Sequence, residues 1–138
     1  MAASKPWWAS LESRMFTIYK NRMESEFSSK FPNLYCTSSP MTQSASRFPT
    51  AYFRMADWTE TGNDLENSET NAIHATVQID VVSNTSLTDC KEVIYETINI
   101  MKSFRFNIIG MPVYTANNNL YTGIVRCRRI IGNGEDIV

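Results

Sequence analysis

Hydrophobic residues recur along this chain in two periods. Leu11, Met15, Ile18, Tyr19, Met23 and Phe27 fall at steps of three and four, which predicts an amphipathic helix over about residues 7–30. Ser4 can cap it, with Pro6 tolerated in the first turn. Phe31-Pro32-Asn33 stops it, because the residue before proline avoids the helical region. Lys20, Arg22, Glu24 and Glu26 fill the solvated face. A second helix is predicted over about residues 87–104. There Leu87, Cys90, Val93, Ile94, Thr97, Ile98, Met101 and Phe104 form a wide apolar arc. Ser86 is its cap, with Asp89 three residues on as a shortened capping box.

The other period is two. Ile73, Ala75, Val77, Ile79 and Val81 alternate with His74, Thr76, Gln78 and Asp80, so the strand over about residues 72–82 has one buried and one polar face. Shorter strands are predicted at 34–37 and 51–55, and two more at 106–113 and 120–131, joined through Ala116-Asn117-Asn118-Asn119 as a hairpin. Residues 38–50 carry Ser, Thr, Pro40 and Pro49 and read as a flexible loop. Residues 57–70 hold Asp57, Glu60, Asp64, Glu66 and Glu69 without a base and read as an exposed acidic hairpin loop. Residues 132–138 read as a frayed tail. The expected fold is a single α+β domain spanning 1–138. It has a largely antiparallel or mixed sheet of about four to five strands, with both helices packed on one face.

Composition narrows function mostly by exclusion. The 138 residues are 43% hydrophobic and 20% charged, which argues against disorder. Net charge is -1, so no global basic field exists for nucleic acid or an anionic membrane. No stretch approaches the ~20 apolar residues of a membrane span. Cys36, Cys90 and Cys127 are scattered, with no C-x-x-C, and no export signal precedes them. They are expected to be free thiols in a reducing cytosol, each a small buried hydrophobe. Without export, the acceptor-like Asn84-Thr85-Ser86 carries no meaning.

Chemical motifs are sparse. His74 is the one histidine and sits on the polar side of its strand, with no nucleophile motif to mark a partner. The acidic segment lacks the D-x-[DN]-x-[DN]-G spacing of a calcium loop. No phosphate-binding glycine motif is present, so no cofactor and no metal is expected. Arg126, Arg128 and Arg129 form the one basic cluster; on a strand the first two share a face and Arg129 takes the other. They can serve salt bridging, a subunit contact or nucleic acid. Trp7 and Trp8 can be core or an anchor on a neighbour.

Several strings together resemble a known family. These are Gln78-Ile79-Asp80-Val81-Val82-Ser83-Asn84, then the capped helix with Lys91 and Met101, then Phe106, then Tyr121-Thr122-Gly123-Ile124-Val125-Arg126-Cys127-Arg128. Upstream stand Phe48-Pro49-Thr50-Ala51-Tyr52-Phe53, the acidic segment with Leu65-Glu66-Asn67, and the helix ending in Phe31-Pro32. Over about residues 8–131 this resembles the small tail terminator (tail-completion) proteins of long-tailed bacteriophages and related prophages. The resemblance implies a virion structural protein, assembled in the host cytoplasm, with no enzymatic activity. Copies would form a ring, usually of six, that caps the head-proximal end of the tail tube. The ring stops tube polymerisation and offers a joining surface to the head connector. Viral DNA would pass through its channel without specific binding.

Charge distribution fits such a ring. Residues 51–90 hold seven acids against Arg54 alone, and the remainder holds twelve bases against seven acids. A heterologous interface pairs two different patches, and complementary charge sets its register. The interface candidates are therefore Asp57, Glu60, Asp64, Glu66 and Glu69 on one side, and Arg126, Arg128 and Arg129 on the other. The 57–70 segment is the candidate for the lumen or a tube contact, and either it or 38–50 is expected to order only on assembly. Competing expectations are a head-completion or stopper protein of the neck, a small cytosolic enzyme using His74, and a regulator or single-strand nucleic-acid binder using the arginines.

Overall fold

The computed structural model describes residues 7–38, 48–63 and 70–135. Eight elements follow in order: α1 (Leu11–Glu26), β1 (Tyr35–Thr37), β2 (Thr50–Asn63), β3 (Thr70–Ser83), α2 (Leu87–Ser103), β4 (Asn107–Ile108), β5 (Val113–Asn117) and β6 (Leu120–Gly132). The fold is α+β, with two helices and a mixed sheet of six strands in the order β1-β2-β3-β6-β4; β5 pairs with β6 on the same side as β4. All pairings are antiparallel except β1 with β2.

The period of two in β3 does what it predicts. Ile73, Ala75, Val77, Ile79 and Val81 are buried, against Ile131, Arg129, Cys127, Val125 and Gly123 of β6. On β2, Ala51 and Phe53 face the same way, opposite Val81 and Ile79. Both helices press on this face. Leu11, Met15, Tyr19 and Met23 of α1 are buried there, with Cys90, Val93, Ile94, Ile100 and Met101 of α2. Phe53 sits under α1, with the Phe16 and Tyr19 rings 5.9 and 5.3 Å away. Tyr19 and Thr97 join the helices through a buried 2.9 Å hydrogen bond. Because Thr97 Oγ1 donates to the Val93 carbonyl, the Tyr19 hydroxyl donates to Thr97. Burial pushes the Tyr19 phenol far up, so it stays neutral. The Lys30–Glu92 ion pair adds an exposed staple between the helical segments.

Several boundaries differ from expectation. α1 is shorter than 7–30: Ser10 is the N-cap residue, without a side-chain cap bond, and residues 7–10 and 27–30 form turns. Ser4 and Pro6 lie outside the described residues. At α2 the expected cap is present, with Asp89 N–H donating to Ser86 Oγ at 3.1 Å; the Asp89 carboxylate takes its bond from Thr85.

The largest correction concerns 57–70. Residues 57–63 are not loop but the continuation of β2, paired with β3 out to Asn63–Thr70. Met55 pairs with Val77 and Asp57 with Thr76, so Ala56 is an extra residue, a bulge that flips the parity of the strand. Before it Phe53 faces the helices; after it Trp58 does, opposite Ala75. Residues 64–69, and 39–47 of the proposed 38–50 loop, lie outside the described residues.

The expected strand 106–113 is also divided. β4 ends at Ile108, Ile109 N–H still bonds the Arg126 carbonyl, and Gly110 (φ 71°) and Pro112 then break the ladder before β5 resumes on the same edge. Asn118 and Asn119 both take left-handed backbone in the β5–β6 turn, as a two-residue hairpin loop demands, and Ala116 and Asn117 belong to β5. The segment from 132 onward is not frayed as far as Glu135: β6 includes Gly132, and a turn at Asn133-Gly134 brings Glu135 back onto Arg129.

Candidate interaction surface

No described helix packs on the other face of the sheet. Across it the ladders set out charged rows. Arg54 stands beside Gln78 and Arg126; Asp57 beside Thr76, Arg128 and Asn107; Thr59 beside His74 and Ile130. Gln78 donates to Asp80 at 3.0 Å along β3. The Arg54 guanidinium lies 5.9 Å from the Tyr52 ring centre. Arg126, Arg128 and Ile130 are exposed, as are Val113, Leu120 and, at 86%, Met111 in the break between β4 and β5. Apolar side chains and arginines therefore share this side of the molecule.

The predicted arginine cluster divides as its strand parity requires. Arg126 and Arg128 face solvent, but Arg129 is 7% exposed on the helix side. Its guanidinium donates to the Phe104 carbonyl and to Glu135 Oε2, both at 2.8 Å. These bonds hold the Glu135 carboxyl below the usual carboxylate range, chiefly through Arg129 and then through Gly132. Arg129 thus ties the end of α2 to the turn after β6 and presents no surface to a partner. Among the acids, Asp57 and Glu60 are exposed on β2. Asp64, Glu66 and Glu69 lie outside the described residues.

His74 is set apart from every cysteine. Cys36, Cys90 and Cys127 are buried free thiols, and His74 stands on the opposite, helix-free face. Burial pushes Cys90 up to about 11 and Cys127 up to about 12, which leaves them as neutral hydrophobes rather than nucleophiles. What His74 does line is a cavity of about 510 Å³ at one corner of the sheet, with Arg105, Asn107, Arg128, Arg129, Ile130 and Glu135.

Arg105 and Asn107 were not among the residues the sequence singled out. Phe106 N–H bonds the Met101 carbonyl and Arg105 N–H bonds that of Lys102, which is the Schellman closure of α2. The residue at its left-handed position is ordinarily glycine; here it is Arg105, with φ 64°. Buried Phe104 and Phe106 clamp it on both sides and turn it outward. The available signal was the Phe-Arg-Phe string directly after a helix, where a single exposed residue stands between two apolar anchors.

A smaller cavity of about 200 Å³ lies at the opposite edge, lined by Trp8, Trp58, Thr59, Glu60 and Ile73. The Trp8 and Trp58 rings are 6.2 Å apart, and Trp7 packs partly buried against the core. Trp7 thus meets the core expectation in part, and Trp8, 37% exposed, leans on Trp58 of its own chain. Among the described residues no group of three or more His, Cys, Asp or Glu is placed to hold a metal ion. Nor is any helix long and apolar enough to cross a membrane. No model of a known protein family matches the chain, and no curated protein matches it.

Proposed function

We propose that this chain is a structural protein of a phage virion, a tail terminator whose copies close into a ring on the head-proximal end of the tail tube. One observation carries the reading. Among the described residues no helix covers the second face of the sheet, and exposed acids Asp57 and Glu60 stand on the β2 side, beyond Arg54, while Arg105 and Arg128 stand on the β4–β6 side. Unlike edges on one molecule make a heterologous contact, and a heterologous contact that closes makes a ring. Charge complementarity across it would set register and speed docking more than it adds affinity. The similarity to tail terminators supplies the partners: tail tube protein, the head connector, and DNA passing through without specific binding. The acidic segment 57–70, if it faces the channel, repels phosphate and lets the duplex slide.

The test is assembly. Native mass spectrometry and imaging of the purified chain, alone and with tail tube protein, should find closed rings that seat on tube ends and limit tube length. A protein that stays monomeric at all concentrations and ignores tube ends overturns the reading. Rings found only on the portal would move it to the head side of the neck.

A further inference from the structure

We propose that the cavity between Trp8 and Trp58, at the β2 edge of the sheet, receives Met111 from the opposite edge of a second copy of this chain. This rests on the ring reading above and names the contact that would join neighbours.

The receptor is apolar at its centre. The Trp8 and Trp58 rings are tilted by 45° with their centres 6.2 Å apart, and Ile73 lines the same space. Thr59 and Glu60 complete the lining. At about 200 Å³ the cavity falls below the ~300 Å³ at which pockets for small-molecule ligands begin, and it suits one long side chain. Between two indoles a thioether is a favoured filling, since it is unbranched and its sulfur makes attractive contacts with aromatic rings.

The knob is held out for such a contact. Met111 is 86% exposed, more than any other large apolar side chain among the described residues. Gly110, in left-handed backbone, and Pro112 flank it. Ile109 N–H bonds the Arg126 carbonyl on one side and Val113 pairs with Ile124 on the other, so both ends of the projection are tied to β6. Ile109 and Val113 are exposed as well, and contiguous exposed hydrophobes mark an interaction site.

Sheet order and charge select a second copy as the source of the occupant. Cavity and knob stand at opposite edges of one sheet, so a copy that gives Met111 to one neighbour keeps its cavity for the next. Edges that meet side by side turn the helix-free faces of both copies the same way. On that face Asp57 is exposed on the cavity's own strand, and Arg126 and Arg128 are exposed on β6 beside β4 and the projection. Among the described residues neither arginine is in an ion pair, and the Asp57 carboxylate takes one hydrogen bond, from Thr59 at 3.4 Å. Arg54, before the bulge, lies over the Tyr52 ring. The contact thus joins an apolar knob flanked by cations to an apolar hole flanked by an anion.

Met111→Glu tests the knob, and the exposure of the site separates assembly from folding. Urea unfolding of the subunit should be unchanged. The half-assembly concentration in sedimentation velocity should rise roughly tenfold or more, because a carboxylate would have to enter the space between the indoles. Met111→Leu, which keeps the apolar bulk, should assemble within a few-fold of the unaltered protein. A second measurement reads the pairing directly. A chain carrying both Thr59→Cys and Met111→Cys, treated with a short bis-maleimide at a concentration where it assembles, should give a ladder of covalent multimers on denaturing gels. Either cysteine alone should give no more than the unaltered chain, whose own cysteines are buried. If rings form but Met111→Glu assembles normally, or the two-cysteine chain gives no ladder, the knob-in-cavity contact is wrong and the ring reading stands. If the unaltered chain never associates, the ring reading falls and takes this contact with it.

Discussion

Two adjacent pairs on β6 separate the two faces of the sheet. Arg129 is buried and doubly bonded while Arg128 is exposed; Ile131 is wholly buried while Ile130 is 59% exposed. The residue types are the same, and only strand parity differs. The helix side uses them for packing: Ile131 joins the core, and Arg129 staples the end of α2 to Glu135. On the bare side the same types are left in solvent, where burying Ile130 against a partner would recover apolar area worth about 25 cal/mol per Å². A side chain on the first face should therefore be felt in stability, and one on the second in association.

The largest effect should come from Phe53→Ala. Phe53 is fully buried between the sheet and α1, and truncation removes its contacts with Phe16 and Tyr19 and leaves a cavity. A loss of about 3–5 kcal/mol in urea unfolding is expected. A loss under about 1 kcal/mol would mean that α1 is not seated on the sheet. Gly123→Ala probes the same face from the other helix. A β-carbon there would lie 2.9 Å from Ile94 Cγ1, 3.1 Å from Cys90 Sγ and 3.2 Å from Tyr114 Cδ1, so these packed side chains, or α2 with them, must shift to admit one methyl. About 1–3 kcal/mol of destabilisation is expected, against the usual gain when glycine is replaced in a strand.

Legibility in the sequence followed the same division. Where one face was buried and parity unbroken, as in β3, the alternation placed the whole inward row from Ile73 to Val81, and of the polar row from His74 to Asp80 only Thr76 is buried. The bulge at Ala56 is why β2 was read only to Met55: Phe53 and Met55 point inward, the extra residue resets the count, and Trp58 inward then looks out of step. The acids that follow suggested a loop, yet Asp57 and Glu60 stand exposed on paired backbone. At the other edge Gly110 and Pro112 divide what the apolar residues from Phe106 to Val113 suggest is one strand, and these two breakers were the sign, visible in the sequence, of where pairing stops. The arginine parity was legible, and so was Arg129's separation from its neighbours. The corner cavity was not, since it gathers residues 74, 105, 107, 128 and 135 that meet only through sheet order and a helix closure.

Glu135→Gln tests the staple through its pH dependence. The folded-state carboxyl is held below its ordinary value, so folding favours its ionised form. The stabilisation is complete above the unfolded glutamate value of about 4.3 and drains away as pH falls through the lower folded value. The Gln variant should therefore lose stability near neutral pH and converge with the unaltered protein in acid. Parallel stability curves at all pH values would mean that the ion pair with Arg129 contributes nothing to folding.

The smallest effect on stability should be the most telling about function. Ile130→Ala removes a side chain exposed on the bare face, and its own copy should register less than about 0.5 kcal/mol in unfolding. The same truncation at Ile131, one residue along and wholly buried, should cost about 2–5 kcal/mol. If Ile130 lies in a subunit contact, its loss should weaken ring formation several-fold while the monomer unfolds unchanged. If both assembly and stability ignore it, the bare face is plain solvated surface at this corner. Exposed hydrophobes there would then need no partner, since single ones are common on soluble proteins. The pair Ile130 and Ile131 thus turns a difference in parity into a measurement, with one residue reporting on the fold and the other on what the fold meets.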